Sequence, residues 1–212
     1  MAMQKSQIVQ TALMILDRDG LEGVTLRRLA TELDMKAASI YWHIPNKVAL
    51  LDEMANAILE EQFGSFDFEH EHDDWAEWLA TMAHELRQAM LRHREGARVV
   101  AGAHPDIAVV LIKLWDYTVR VLNKAGFSPG KAAVVTITMT NFTFGSVIEE
   151  QSSPPYTHGP DDPAREIQAM GQRFQTLAIA MEAWMTEGAG IPFDTGVRII
   201  VNGVRAELNN DN

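Results

Sequence analysis

The sequence has no cysteine among its 212 residues. Disulfides, thiolate zinc sites, iron–sulfur clusters and a cysteine nucleophile are excluded together, and the composition suits a reducing, cytoplasmic setting. Long apolar runs are missing too. The longest uninterrupted aliphatic stretch, Ile107 to Ile112, falls far short of the roughly 20 residues that a membrane helix needs. The first ten residues hold Gln4, Lys5, Ser6, Gln7 and Gln10 in place of an apolar segment, so no secretory signal is expected. Positive charge is scarce: 18 Lys and Arg face 29 Asp and Glu, a net charge of −11. Non-specific attraction to a polyanion is therefore weak.

The deficit is uneven. Residues 1–50 carry six cations (Lys5, Arg18, Arg27, Arg28, Lys36, Lys47) against five anions, so the rest of the chain holds nearly all the excess negative charge. A near-neutral head on an acidic body can grip DNA only if its few cations are aimed. Apolar residues at 47% and charged residues at 22% describe an ordinary globular chain and exclude general disorder.

What is present is helical periodicity. Residues 5–19 place Ile8, Ala12, Leu13, Ile15 and Leu16 on one stripe that stops at Gly20. Thr25 reads as an N-cap for 26–33, Asp34 as a turn, and 36–43 as a further short helix. Pro45 is expected to open the next helix, in which Leu50, Leu51, Met54, Ala55, Ile58 and Leu59 recur at helical spacing. Further helices fit 75–93, 106–124, 129–151, 165–186 and 193–209, with Gly96, Gly126 and Gly188 as stops. Ser152–Pro163 reads as a loop. The fold class is all-α: a three-helix head over 1–46, a connecting helix over 47–62, and a larger helical body over 63–212.

Two short helices across a tight turn, with a helix before them, form a helix-turn-helix layout. Ala37 and Ala38 are small enough to admit the backbone to a major groove, Lys36 and Ser39 offer donors, and Tyr41, His43 and Lys47 can reach phosphates. The indole of Trp42 is assigned to the interior on size, and Arg28 to a solvated face.

The stretch Gly20-Leu-Glu-Gly-Val-Thr25-Leu-Arg27-Arg-Leu29-Ala30, continuing through Ser39-Ile-Tyr41-Trp42-His43-Ile-Pro-Asn-Lys47, resembles the DNA-binding part of the tetracycline-repressor (TetR) family. It covers about a quarter of the chain, and Tyr-Trp-His followed by Lys and Leu-Leu-Asp is specific to the tetracycline-repressor subgroup. Leu91–Ala97, Phe142–Gln151 and Phe193–Leu208 extend the likeness more loosely over most of the rest. The resemblance implies that Thr25 caps a helix and touches a phosphate, that Arg27 reaches a base, and that Lys36, Ala37, Ala38 and Ser39 face the groove. Tyr41, His43 and Lys47 then clamp the backbone of double-stranded operator DNA.

The resemblance also implies a homodimer built on helices 129–151 and 193–209, with Gly196, Gly203 and Ala206 allowing close approach and Ile199, Ile200 and Val204 supplying apolar contact. A small-molecule effector would be enclosed by Phe63, Met82, Leu86, Val100, His104, Pro105, Trp115, Thr140, Asn141, Phe144 and Glu149. Val100, Phe63 and Asn141 stand where the subgroup carries drug- or magnesium-binding histidines, and only the carboxylate of Glu149 is kept. Valine cannot ligate Mg²⁺, so a largely apolar or aromatic effector is expected, with no metal and no cofactor.

Rival readings find little purchase. His70 and His72 alternate within an acidic loop, which reads as solvated surface or fortuitous weak metal binding. His84-Glu85 has Gln88 where a zinc-protease motif needs histidine, and neither a phosphate loop nor a nucleophile elbow is present. A sequestering module without DNA binding is disfavoured by Arg27, Tyr41, His43 and Lys47, while activation in place of repression stays open.

Overall fold

The computed structural model describes residues 2–69, 72–104, 108–152, 171, 173–186 and 192–210. Their regular structure is all helical, with no strand among them: α1 (Ala2–Asp19), a 3-10 turn (Leu21–Gly23), α2 (Leu26–Glu32), α3 (Ala37–His43), α4 (Lys47–Phe63), α5 (Trp75–Leu91), α6 (Gly96–Ala101), α7 (Val109–Lys124), α8 (Pro129–Ser152), α9 (Gln175–Thr186) and α10 (Pro192–Asn210). The segments 105–107 and 153–170, which include Pro105 and nearly all of the expected 152–163 loop, lie outside the described residues; Ser152 ends α8.

The head closes on Ile8, Leu13, Leu16, Leu29, Ile40 and Ile44, all buried. Its turns follow from side-chain chemistry. Thr25 caps α2 by accepting the Arg28 N–H at 3.2 Å. Asp34 takes φ 50 between α2 and α3, a conformation that a short polar side chain tolerates better than most. Asn46, and not Pro45, starts α4: its Oδ1 accepts the Ala49 N–H at 2.8 Å, leaving the proline two residues ahead of the first helical turn.

α4 packs on α1 at one side and on α5, α6 and α7 at the other. The body is layered around α8, which lies against α5, α6, α7 and α10. Among the described residues α8 is the one helix whose length and composition would suit a membrane span. Its buried threonines show why it belongs to a bundle: Thr136, Thr140 and Thr143 each return their hydroxyl to the carbonyl four residues back, at 2.8 Å.

Two expectations are corrected here. The helix expected over 75–93 ends at Leu91, and Gly96, expected as a stop, instead opens α6 after a turn in which Glu95 takes φ 55. A Cβ at Gly96 would run into the Met90 carbonyl, so glycine is needed for close approach to the end of α5.

Candidate nucleic-acid interface and effector site

The head sorts its cations by use. Arg18 pairs with Asp19 and Glu32 at 2.7 and 2.6 Å, Arg28 with Asp19 at 2.7 Å, and Lys5 with Glu53 at 2.6 Å. Hydrogen bonds and charge from Asp19 and Glu32 hold the Arg18 guanidinium above its ordinary range, and Arg18 in turn holds the Asp19 carboxyl below its own. Arg28 is thus an internal brace more than a solvated face. The other three, Arg27, Lys36 and Lys47, are exposed and make no ion pair among the described residues. They stand in the first turn of α2, at the N-cap of α3 and at the first residue of α4.

Between them α3 exposes Ala37, Ala38, Ser39 and Tyr41, while His43 is half-buried and Ile40 anchors the inner side. Trp42 overturns its assignment to the interior: it is 79% exposed. With Ile40 buried on the inward face of this seven-residue helix and Ile44 buried at its C-cap, Trp42 falls on the outer side whatever its size.

In the body, Phe63, Met82, Leu86 and Val100 are buried on α4, α5 and α6. Trp115 and Thr140 meet directly, the indole N–H donating to Thr140 Oγ1 at 3.1 Å. Phe144 is half-buried against the core, whereas Asn141 and Glu149 are exposed on α8. His104 is exposed at the turn after α6, its backbone N–H and ring Nδ1 2.8 and 3.3 Å from Asp52 Oδ1. His72 departs from its surface reading, packing on Trp78 at 4.9 Å within a cluster that includes Phe66, Phe68 and Tyr117.

The loop between α5 and α6 grips the head. Arg94 donates its N–H to Asp17 Oδ1 at 3.0 Å and its guanidinium to the Arg18 carbonyl at 3.4 Å, and Glu95 accepts the Leu21 N–H at 2.7 Å. That backbone hydrogen bond is the main reason the Glu95 carboxyl sits below the ordinary glutamate range. Gly20, at φ 78, faces this loop; a Cβ there would come within 2.7 Å of Glu95 Oε2.

Residues 8–54 match the family described as bacterial regulatory proteins, tetR family, and residues 69–208 match the tetracyclin repressor-like C-terminal domain. The chain belongs to the TetR family. It is similar to the class C tetracycline repressor protein of Escherichia coli, 34% identical over 204 residues that cover 95% of this chain and 90% of that protein. A possible TetR family transcriptional regulator from Streptomyces coelicolor A3(2) superposes with a TM-score of 0.77 at 33% identity, covering 95% of this chain and 98% of that one. BioQ, solved with its natural double-stranded DNA operator, superposes with a TM-score of 0.68 at 26% identity over 95% of this chain and 98% of its own.

The all-α class and the helix-turn-helix head of this TetR-family regulator were readable from its sequence. Asp52, Gln151 and Glu95, which tie helices together in the body or join the body to the head, were not singled out, because their partners lie 52, 54 to 61 and 74 residues away. A buried Asp within an otherwise apolar helix stripe was the one available signal. Gly196, expected to ease approach between subunits, is used within the chain: a Cβ there would collide with the Phe142 ring. Gly203 has nothing within 4 Å of its Cβ position, and Val134 and Ile137 on α8 and Ile199 on α10 are exposed.

Proposed function

We propose that this chain is a repressor, and not a catalyst, that reads a palindromic operator as a homodimer and is released by a small, largely apolar or aromatic effector in the cytoplasm. The observation that carries this reading is the set of three unpaired cations, Arg27, Lys36 and Lys47, around a short helix that exposes Ala37, Ala38, Ser39 and Tyr41. Residues 1–46 act as the reader, 47–62 as the connector and 63–212 as the sensor and dimer module. Thr25, Tyr41, His43 and Lys47 hold phosphates, Arg27 reads a base, and Lys36 to Ser39 enter the groove. Exposed Val134, Ile137 and Ile199 supply the dimer contact.

Phe63, Met82, Leu86, Val100, Trp115, Thr140 and Phe144 form the apolar wall of the effector site, with His104, Asn141 and Glu149 at its polar edge. Pro105 belongs with them by sequence. Phe63 and Val100 offer no lone pair to a cation, which argues against a magnesium-bound ligand. The effector acts by favouring a dimer whose heads are wrongly spaced, and by linkage the operator must weaken effector binding to the same degree.

Selection of bound sequences from random duplex DNA near about 0.15 M salt tests the reading. An enriched palindrome with half-sites roughly 34–36 Å apart is expected. A folded, dimeric protein that enriches nothing would overturn it. Tetracycline with Mg²⁺ releasing that DNA, while uncharged aromatics do not, would overturn the effector class.

A further inference from the structure

We infer that His93 is a positioning residue that fixes the angle of the DNA-reading head against the body, and that its hold depends on protonation. His93 lies in the loop between α5 and α6 and its side chain is only 12% exposed. Its Nδ1 is 3.0 Å from Asp17 Oδ2 on α1, and its Nε2 is 3.1 Å from Glu61 Oε2 on α4. One imidazole therefore spans three elements: the last turn of the head's first helix, the end of the connecting helix, and the joint between two helices that carry Met82, Leu86 and Val100.

The donor count decides the chemistry. A neutral imidazole has one N–H and one lone pair, so only one of the two carboxylates receives a hydrogen bond, and the other faces a lone pair. The imidazolium donates to both and cancels charge against both. The surrounding groups do not replace it. From the loop itself, Arg92 is spent on the Glu61 carbonyl and Arg94 on the Arg18 carbonyl; Glu95 is held by Leu21 and Arg98. On α1, Arg18 is committed to Asp19 and Glu32. From α8, the neutral Gln151 amide donates to the His93 carbonyl at 2.8 Å. Asp17 Oδ1 is met by the neutral backbone N–H of Arg94, so His93 is the cationic donor that faces both Asp17 Oδ2 and Glu61 Oε2 when its ring carries both protons. The imidazolium holds both carboxylates and the neutral ring only one, so the clasp loosens when the ring loses its proton.

Hydrogen exchange of the free protein tests this without operator or effector, so its outcome is independent of the proposed function. Protection of segments 17–24 and 92–96, corrected for chemical exchange, is compared at about pH 6 and about pH 8. The wild type is expected to lose roughly fivefold of its protection at the higher pH. His93→Arg, which keeps charge and two-sided donation, retains the protection at both values, and His93→Gln is weak at both. Asp17→Asn removes the head-side charge and shrinks the contrast, serving as an independent check if His93→Arg folds poorly. Wild-type protection that ignores pH, or a contrast that survives His93→Gln, overturns the inference.

Discussion

The backbone N–H of His104 donates to Oδ1 of Asp52 at 2.8 Å, binding the turn after α6 to the connecting helix. Asp52 is 1% exposed, and its Oδ2 has no hydrogen-bond partner among the described residues. A buried carboxylate spent this way is a joint between the helix that carries Val100 and the helix that carries Lys47. Asp52→Ala strands the His104 N–H and empties the site, at a cost of about 1–3 kcal/mol. Asp52→Asn keeps an acceptor of the same shape and is expected to stay within about 1 kcal/mol of wild type. Urea denaturation of both variants separates the two outcomes.

Trp42 presents an indole to solvent beside Tyr41 on the exposed side of α3. Trp42→Ala is accordingly expected to change folding stability by no more than about 0.5 kcal/mol, as at an exposed site. A loss of several kcal/mol, such as a core tryptophan would give, would show that the indole is packed. The same variant weakens operator binding, which a fluorescence anisotropy titration measures.

Two of the three exposed cations without an ion pair among the described residues differ in what they should do to DNA binding. On the proposed reading Lys47 holds one phosphate, so Lys47→Ala is expected to lower the slope of log K against log salt by about 0.9 and to weaken all sequences alike. On the proposed reading Arg27 contacts one base, so Arg27→Ala is expected to cost roughly 1–3 kcal/mol there and to relax selection at that position. Titrations across salt concentration, on matched and mismatched duplexes, distinguish the two.

How much of this was legible beforehand depends on range. Thr25 and Asp34 act on their own neighbours, so residue chemistry alone placed the cap and the turn. Trp42 was misjudged because volume measures what burial would gain, not whether a seven-residue helix has an inward position left once Ile40 and Ile44 are in place. Gly96 opens α6 where a stop was expected, since glycine permits close approach at either end of a helix. The apolar stripe of α4 was visible; that its one carboxylate meets a backbone N–H 52 residues further on was not. Pairings such as His93 with Asp17 and Glu61 carry no periodic signal at all.

Two glycines of α10 should respond oppositely to an added methyl. Gly196→Ala drives a Cβ into the Phe142 ring, and overpacking of this kind costs about 1–3 kcal/mol in stability. Gly203→Ala meets open space within the chain and leaves protomer stability nearly unchanged. Its effect is expected on association, read by sedimentation equilibrium.

Acid weakens the head–body loop by a separate route. Because the Glu95 carboxyl is held below the ordinary value of 4.5, its contribution is complete above that pH and is lost as pH falls through the lowered value. Urea midpoints measured from about pH 6 to about pH 3 should fall in this range, and less steeply in Glu95→Gln.

Gln151 stands near the end of α8 and completes the corner between α5 and α6: its Oε1 accepts the Ala97 N–H, and its Nε2 donates to the Met90 and His93 carbonyls. A side chain from one helix thereby adds to the corner's own backbone bond, in which the His93 carbonyl accepts the Gly96 N–H at 3.0 Å. The same helix turns Val134 and Ile137 outward. In the dimer proposed above, a shift of α8 on its outer side would pass into the corner that holds the head, so that the bearing of each head would belong to the pair of subunits and not to one chain alone.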